Sequence, residues 1–249
     1  MIDANTGRFS TTLRGHKGFV DCMVIACDRL FTGSWDKTIN VWALTDHNKL
    51  IGTLKSAKGR GAASLGKIFC LAADDGKVFS GGGLGVVQVW DATTLNLIAT
   101  LKGHTKDVKG ICIDNGKLFS VSMDRSIRVW STSDYSCMNV IRKSLSLFFF
   151  LLLLFVFVEC MLTSISLDSN LINLFTKQGH NACLMCVTVC NGKLYSGGQD
   201  KCIKVWDIED DYSVQATLVG HTSTVISLFA NEQKLYSESW DNTIKVWKI

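Results

Sequence analysis

The sequence predicts an all-β fold built from repeated units, each made of four short strands. Three observations predict it. A set of polar and aromatic residues recurs at fixed spacing, the recurrence has a period of 41 to 44 residues, and each copy contains short β-type segments separated by turn residues. A period of this size is typical of architectures in which each repeat is one supersecondary unit. The chain of 249 residues is long enough for one large all-β domain.

The recurring set begins with a histidine, because four of the five histidines follow a glycine. A hydroxyl residue comes 16 positions after each, an aspartate four further on and a tryptophan six after that. A degenerate copy ends at Trp90 with Ser80 ten residues before it, and Ser64 and Leu84 stand where the histidine and aspartate belong. The complete sets are His16, Thr32, Asp36 and Trp42; His104, Ser120, Asp124 and Trp130; His180, Ser196, Asp200 and Trp206; and His221, Ser237, Asp241 and Trp247.

Each copy divides into strands at Asn-Gly or Asp-Gly pairs. In the third copy the segments VKGICID, KLFSVS and SIRVW read as strands, and the first two are joined by Asn115-Gly116. Asp75-Gly76 and Asn191-Gly192 hold the same place in the second and fourth copies, and such pairs tolerate the positive φ angles of a type I′ hairpin. A fourth strand follows the tryptophan, as in KLIGTL, NLIATL and SVQATL. The chain has no proline, so Gly, Asn and Asp must make its turns.

This pattern of Gly-His, Asp and Trp resembles the WD40 repeat, whose copies each form one four-stranded blade of a β-propeller. The resemblance covers nearly everything except residues 144–178 and implies five blades, either complete or part of a parent ring with the usual seven. It also implies that the N-terminal strand closes the last blade, so that Phe9–Leu13 pairs beside Thr243–Trp247. The blade type is similar to those of myosin-heavy-chain-kinase-type enzymes and of RING or other zinc-finger ubiquitin ligases.

The recurring polar residues are interpreted as architecture. The resemblance implies that the indole N–H, the hydroxyl, the imidazole and the carboxylate of each set hydrogen-bond in sequence and so satisfy buried polar groups. A His, a Ser and an Asp together also suggest a catalytic triad, but four identical copies favour the structural role. The sequence has no Gly-rich phosphate loop and no isolated nucleophile with a base. We therefore expect no enzyme activity and no cofactor.

The ten cysteines indicate a reducing compartment, because the polar N-terminus MIDANTGRFS is not a secretory signal. We expect a cytoplasmic or nuclear protein with small, buried thiols. His180, Cys183, Cys186 and Cys190 have a spacing that resembles a zinc site. However, Leu184–Val189 reads as a strand, which sends neighbouring side chains to alternate faces, so the structural interpretation is preferred and no metal is expected.

The sequence predicts three segments: blades one to three in residues 1–143, a hydrophobic insert in 144–178, and blades four and five in 179–249. The insert is rich in residues with thymine-rich codons, which favours a translated retained intron, with a surface loop as the next interpretation. An anchor through residues 144–167, giving a membrane-associated WD40 protein, is the alternative function. It is disfavoured because Glu159 interrupts the apolar run and a propeller cannot close across a bilayer, although hydropathy alone marks the segment as transmembrane.

The preferred function is a non-catalytic scaffold that binds proteins or peptides on the top face of a monomeric propeller. The resemblance implies that the residue before each Asp, and residues flanking the start of the innermost strand, point to that face, where aromatic clusters are typical binding hot spots. Closure would make Trp35 and Trp240 neighbours. With a net charge of +4 and scattered basic residues, we expect no nucleic acid. The predicted partner-binding residues are Phe19, Asp21, Trp35, Asp107, Lys109, Met123, Met185, Gln199, Ile226 and Trp240, with Cys183 and Thr224 at equivalent positions.

Overall fold

A computed structural model of the chain describes residues 12–44, 49–55, 66–142, 179–209 and 212–249. Its strands form five antiparallel sheets, so the predicted all-β fold of repeated sheets is confirmed. The chain divides into two compact units. The first holds residues 1–120 and 131–136, and the second holds residues 121–130 and 137–249.

The first two sheets lie in the first unit, and each has its strands in sequence order. A single 3-10 turn, Gly83–Gly85, lies between β6 and β7. The first sheet consists of β1 (Val20–Ala26), β2 (Arg29–Ser34), β3 (Thr38–Ala43) and β4 (Leu50–Lys55), and the second of β5 (Ile68–Asp74), β6 (Lys77–Gly82), β7 (Val86–Asp91) and β8 (Leu97–Lys102).

The other three sheets follow the same order. The third consists of β9 (Val108–Asp114), β10 (Lys117–Ser122), β11 (Ser126–Ser131) and β12 (Cys137–Arg142). The fourth consists of β13 (Leu184–Cys190), β14 (Lys193–Gly198), β15 (Cys202–Asp207) and β16 (Val214–Val219), and the fifth of β17 (Val225–Ala230), β18 (Lys234–Ser239) and β19 (Ile244–Lys248). The segment CMNVIR forms β12 and pairs with β11 as the fourth strand of the third sheet.

The predicted hairpin turns are confirmed by their backbone angles. Asp75 and Gly76 have φ of 44° and 69°, Asn115 and Gly116 have 46° and 71°, and Asn191 and Gly192 have 51° and 68°. Two consecutive positive φ angles define the type I′ turn, whose twist matches that of the flanking strands. The first sheet makes the same turn with Cys27 and Asp28, at 46° and 54°, although neither is a glycine.

The core lies along the middle strands of each sheet and between the inner strands of neighbouring sheets. Phe31, Ile39 and Val41 of the first sheet are fully buried. Within the first unit β1 packs on β5 and β5 on β9, and within the second unit β13 packs on β17. Glycine allows this approach, because a Cβ atom at Gly33 would lie 2.5 Å from Ile68 Cγ2 and 2.6 Å from Cys22 Sγ.

Two sequence predictions fall outside the described residues. The fifth sheet has three strands in the part of the chain that the structure describes, and Ile244 and Val246 on β19 are 70% and 56% exposed. The segment expected to pair there, Phe9–Leu13, lies mostly in residues 1–11, so closure of the last blade stays a prediction. The interpretations of the insert likewise concern residues 143–178. Over the described ranges, no helix is both long and apolar enough to span a membrane.

Candidate functional site: a polar chain in each sheet and an aromatic cluster at its end

Three of the complete residue sets form continuous hydrogen-bonded chains. In the fourth sheet Trp206 Nε1 donates to Ser196 Oγ at 2.7 Å, and His180 Nε2 lies 2.8 Å from that oxygen. His180 Nδ1 lies 2.9 Å from the Asp200 carboxylate. The chain His16, Thr32, Asp36 and Trp42 repeats this geometry with links of 2.9 Å, and so does His221, Ser237, Asp241 and Trp247 with links of 2.7 to 2.8 Å.

The carboxylates identify the histidine tautomer. An ionised Asp can only accept hydrogen bonds, so Nδ1 of each of these rings carries a proton and donates it to the carboxylate. The aspartates also accept a backbone N–H from the residue after the histidine, such as Lys17 N to Asp36 at 2.8 Å and Asn181 N to Asp200 at 2.9 Å. Each chain therefore ties the loop before the innermost strand to the two middle strands.

Hydrogen bonds keep the aspartates ionised against the effect of burial. Burial raises the pKa of Asp36, but bonds from Thr38, the Lys17 amide and His16 outweigh it and lower the pKa from 3.8 to about 2. Burial likewise raises the pKa of Asp200, but hydrogen bonds, mainly the one from His180, outweigh it and lower the pKa. The Thr243 hydroxyl is the main cause of the lowered pKa of Asp241.

The second and third sheets contain parts of the same chain. In the third, His104 Nε2 lies 2.8 Å from Ser120 Oγ within the first unit, whereas Asp124 and Trp130 belong to the second unit. In the second, Trp90 Nε1 donates to Ser80 Oγ at 3.0 Å, as the spacing predicts. Leu84 occupies the aspartate position with a φ of 71° and is 67% exposed, and Ser64 lies outside the described residues.

The polar groups of these chains are hydrogen-bonded to one another, as a structural role requires. His104, His180 and His221 are buried, and each hydroxyl already bonds a tryptophan or a histidine. In the described part of the chain, no cluster of His, Cys, Asp or Glu has the geometry to hold a metal ion. Cys186 is buried, which raises its pKa, and its Sγ donates to Val225 O at 3.7 Å.

A second site lies where each innermost strand begins, and one backbone bond organises it. The amide of the residue before the Asp position donates to a carbonyl at the start of the innermost strand. Trp35 N bonds Phe19 O at 2.9 Å, Gln199 N bonds Cys183 O at 2.9 Å, and Trp240 N bonds Thr224 O at 3.0 Å. The structure thus brings together the residues that the sequence paired at these positions.

Three further predicted residues sit on β-bulges. The register between the innermost strand and its neighbour shifts between Val20 and Cys22, between Leu184 and Cys186 and between Val225 and Ser227. The residues left unpaired are Asp21, Met185 and Ile226. A bulge re-aims the side chain of the extra residue and is common beside functional sites. The repeat spacing alone does not predict that a bulge occurs at these residues.

In the first unit these positions form what we call the Trp35 cluster: Phe19, Asp21, Trp35, Lys67, Phe69, Asp107 and Lys109. Trp35 packs edge-to-face with Phe19, at 5.2 Å between ring centroids, and with Phe69, at 6.4 Å. Its indole N–H donates to the Asp21 carboxylate. Phe19 is 72% exposed and Trp35 is 38% exposed, so the cluster presents aromatic surface to solvent.

Two members of the Trp35 cluster, Lys67 and Phe69, were missed by the sequence interpretation. They hold the positions of Phe19 and Asp21 in the degenerate second copy, and Gly83 N donates to Lys67 O at 2.8 Å in the bond that recurs in the other sheets. Phe69 is the bulged residue between Ile68 and Cys70. Counting forward three and five residues from Ser64 would have found both.

In the second unit the predicted residues are less clustered. Trp240 is 59% exposed and Gln199 is also exposed, whereas Met123, Met185 and Ile226 are half-buried. Cys183 Sγ donates to Met123 O at 3.3 Å, which places the Met123 backbone beside the start of β13. The role of these five side chains in partner binding stays a prediction.

Four-stranded antiparallel sheets tied by a Trp, hydroxyl, His and Asp chain are blades of a β-propeller, the class of protein that this fold defines. The family described as WD domain, G-beta repeat matches residues 7–43, 95–131, 171–207 and 212–248, and each match ends one residue after a tryptophan of a complete set. The chain belongs to the WD40 family. Its members are generally non-catalytic scaffolds that bind proteins.

Several curated proteins share parts of this sequence. The chain is 29% identical over 136 residues to the kinesin-like protein KIF21A of Homo sapiens, covering 52% of this chain and 8% of that protein. It is 38% identical over 89 residues to pre-mRNA-processing factor 19 of Mus musculus, covering 34% and 18%. It is 25% identical over 197 residues to mitochondrial division protein 1 of Saccharomyces cerevisiae, covering 71% and 25%. The chain therefore matches a quarter or less of each of these proteins.

Solved structures share the fold. The structure of U3-55K superposes with a TM-score of 0.73 at 19% identity, covering 95% of this chain and 63% of that one. The crystal structure of RRP9 WD40 repeats gives 0.72 at 20% identity, covering 95% and 62%. Identities this low establish the fold alone.

Proposed function

We propose that this chain is a non-catalytic module that holds partner proteins at the ends of its blades where the innermost strands begin. The observation that carries the proposal is the Trp35 cluster, in which Phe19 and Trp35 expose aromatic surface beside the charged groups of Asp21 and Lys67. Aromatic residues at the centre of a mixed polar patch are typical binding hot spots. The buried polar chains hold the blades together, and the exposed side chains of the Trp35 cluster are not members of them. The cluster can therefore serve binding without a structural role in the chains.

The alternative surface is the outer edge of the blades. Leu97 and Ile98 on β8 are 39% and 44% exposed, and Met138 on β12 is 55% exposed. Single exposed apolar residues of this kind are normal on protein surfaces. These side chains are not aromatic, whereas the Trp35 ring contacts the rings of both Phe19 and Phe69. The cluster is therefore the better candidate.

The test is affinity capture with the full chain and three variants: Trp35→Ala, Trp240→Ala and the double change. Captured proteins are quantified by mass spectrometry, and circular dichroism confirms that each variant is folded. Leu97→Ala with Ile98→Ala is the matched control on the outer edge. We expect the double change to abolish capture and the control to retain it. Unchanged capture by the double variant would place the binding surface on the sides or the opposite end of the blades.

The proposal extends to the parent protein, the compartment and nucleic acid. The blade resemblance suggests the substrate-recognition part of a kinase or ubiquitin ligase, and capture of a modified substrate would test it. A relative named as a pre-mRNA-processing factor favours the nucleus over the cytoplasm as the compartment. The expectation that the chain does not bind nucleic acid has no support from this relative, whose name refers to RNA processing. A mobility-shift assay with single-stranded RNA tests that expectation.

A further inference from the structure

Two lysines of the Trp35 cluster lie over its aromatic rings, but only one is paired with a carboxylate. Lys109 Nζ lies 3.1 Å from the centroid of Phe69 and 3.7 Å from Asp107 Oδ2. Burial lowers the pKa of Lys109, while the charges of Asp107 and Asp21 oppose that shift. Lys67 Nζ lies 3.9 Å from the centroid of Trp35, and in the described ranges no carboxylate is within 4.0 Å of it. Lys67 is exposed, so its ammonium faces solvent.

The carboxylates of the cluster already have partners within it. Asp107 pairs with Lys109, and Asp21 accepts the indole N–H of Trp35. The charges of both carboxylates act on Lys109, so Lys67 is the cation of the cluster that has no carboxylate partner in the described ranges. A cation that rests on an aromatic ring is partly desolvated, which strengthens its interaction with an incoming anion.

A separate observation places an apolar group near Lys67. The Lys67 carbonyl accepts a hydrogen bond from Gly83 N, and Leu84 follows directly. Leu84 is 67% exposed with a φ of 71°, a left-handed conformation that is unfavourable for a residue other than glycine. The equivalent position of the first, fourth and fifth sheets carries an aspartate that accepts a hydrogen bond from a histidine. Here an exposed leucine takes that place and presents an apolar side chain to solvent next to the Lys67 backbone.

We propose that the Trp35 cluster and Leu84 bind an acidic peptide segment in which a carboxylate lies beside large apolar side chains. Lys67 pairs with the carboxylate, while Phe19, Trp35 and Leu84 contact the apolar groups. The inference rests on the proposed function and adds the charge of the partner to it. A basic segment would instead have to displace Lys67 from the Trp35 ring, and that is the competing outcome.

The experiment measures the binding of two fluorescein-labelled 12-residue peptides to the full chain by fluorescence anisotropy. One probe alternates glutamate with phenylalanine and leucine, and the other has lysine in place of each glutamate. We expect the acidic probe to bind about 10-fold more tightly, and Lys67→Glu to reverse the preference, because like charges across an interface repel. Leu84→Gly should weaken the acidic probe several-fold without changing the charge preference. Lys55→Glu, the same charge change at an exposed position on β4, is the matched control.

The outcomes separate this inference from the proposed function. Equal or tighter binding of the basic probe to the unmodified chain, or an acidic preference that survives Lys67→Glu, would overturn the inference. So would failure of the acidic probe to bind at all. If Lys67→Glu still captures the proteins that Trp35→Ala loses, the inference fails while the proposed function stands. If Trp35→Ala with Trp240→Ala loses nothing, the proposed function itself fails.

Discussion

Replacing Trp206 with alanine should destabilise the second unit more than any surface change. The indole is 4% exposed, and it donates to Ser196 Oγ at 2.7 Å. Removing a buried tryptophan side chain costs roughly 3–5 kcal/mol through lost contacts and the cavity left behind. The Ser196 hydroxyl also loses its donor, which adds about 1–3 kcal/mol if no water replaces it. The expected total is about 4 kcal/mol or more, a large fraction of the stability of an ordinary domain.

Urea unfolding followed by far-ultraviolet circular dichroism measures this loss without depending on tryptophan fluorescence. Trp240→Ala is the matched control, because it removes the same side chain from a position that is 59% exposed. Its free energy of unfolding should change by less than about 1 kcal/mol. Trp206→Phe should fall between the two, since it keeps most of the apolar volume but removes the N–H donor. A Trp206→Ala protein that unfolds at the same urea concentration as the unmodified chain would refute the role of the hydrogen-bonded chain.

Two further predictions concern the polar chains. Acid should weaken the first sheet. The pKa of Asp36 falls from its usual value of 3.8 to about 2 in the folded protein. The stabilising contribution of its carboxylate is therefore complete above pH 3.8 and disappears as the pH falls towards 2. Urea unfolding at pH 6 and pH 3 should show a smaller acid-induced loss for Asp36→Asn, and an identical loss would contradict the assignment. The second sheet, with Leu84 in place of the aspartate, should open before the fourth, so the amides of β7 should exchange with deuterium faster than those of β15. Equal protection of the two strands would count against this view.

The repeat spacing predicted the strands and most of the polar chains because it reports interactions inside one blade. The sequence separations between His180 and Ser196, Asp200 and Trp206 recur in the other complete copies, because the same strands and turns lie between these residues each time. The spacing also located Trp35 and Trp240 at the ends of the blades. It did not predict that Asp21 would accept the indole N–H of Trp35, since that contact depends on side-chain orientation at a bulge.

Contacts between neighbouring blades were harder to predict, because they join residues that no local pattern connects. The second copy lacks both the histidine and the aspartate that mark the others, so Lys67 and Phe69 could be located only by counting from Ser64. Their importance appears only where Lys67 lies on Trp35 and Phe69 lies between Trp35 and Lys109. Leu84 was recognised as a departure from the repeat, but its exposure and positive φ required the structure.

The most direct test of the central claim, that partners bind at the Trp35 cluster, is site-specific photo-crosslinking in cells. Benzoyl-phenylalanine replaces Trp35 in one version of the full chain and Leu97 of the outer strand β8 in another, and both side chains are partly exposed to a similar degree, 38% and 39%. We predict that irradiation links partner proteins to position 35 and few or none to position 97. Cross-linking at position 97 with none at position 35 would contradict the account.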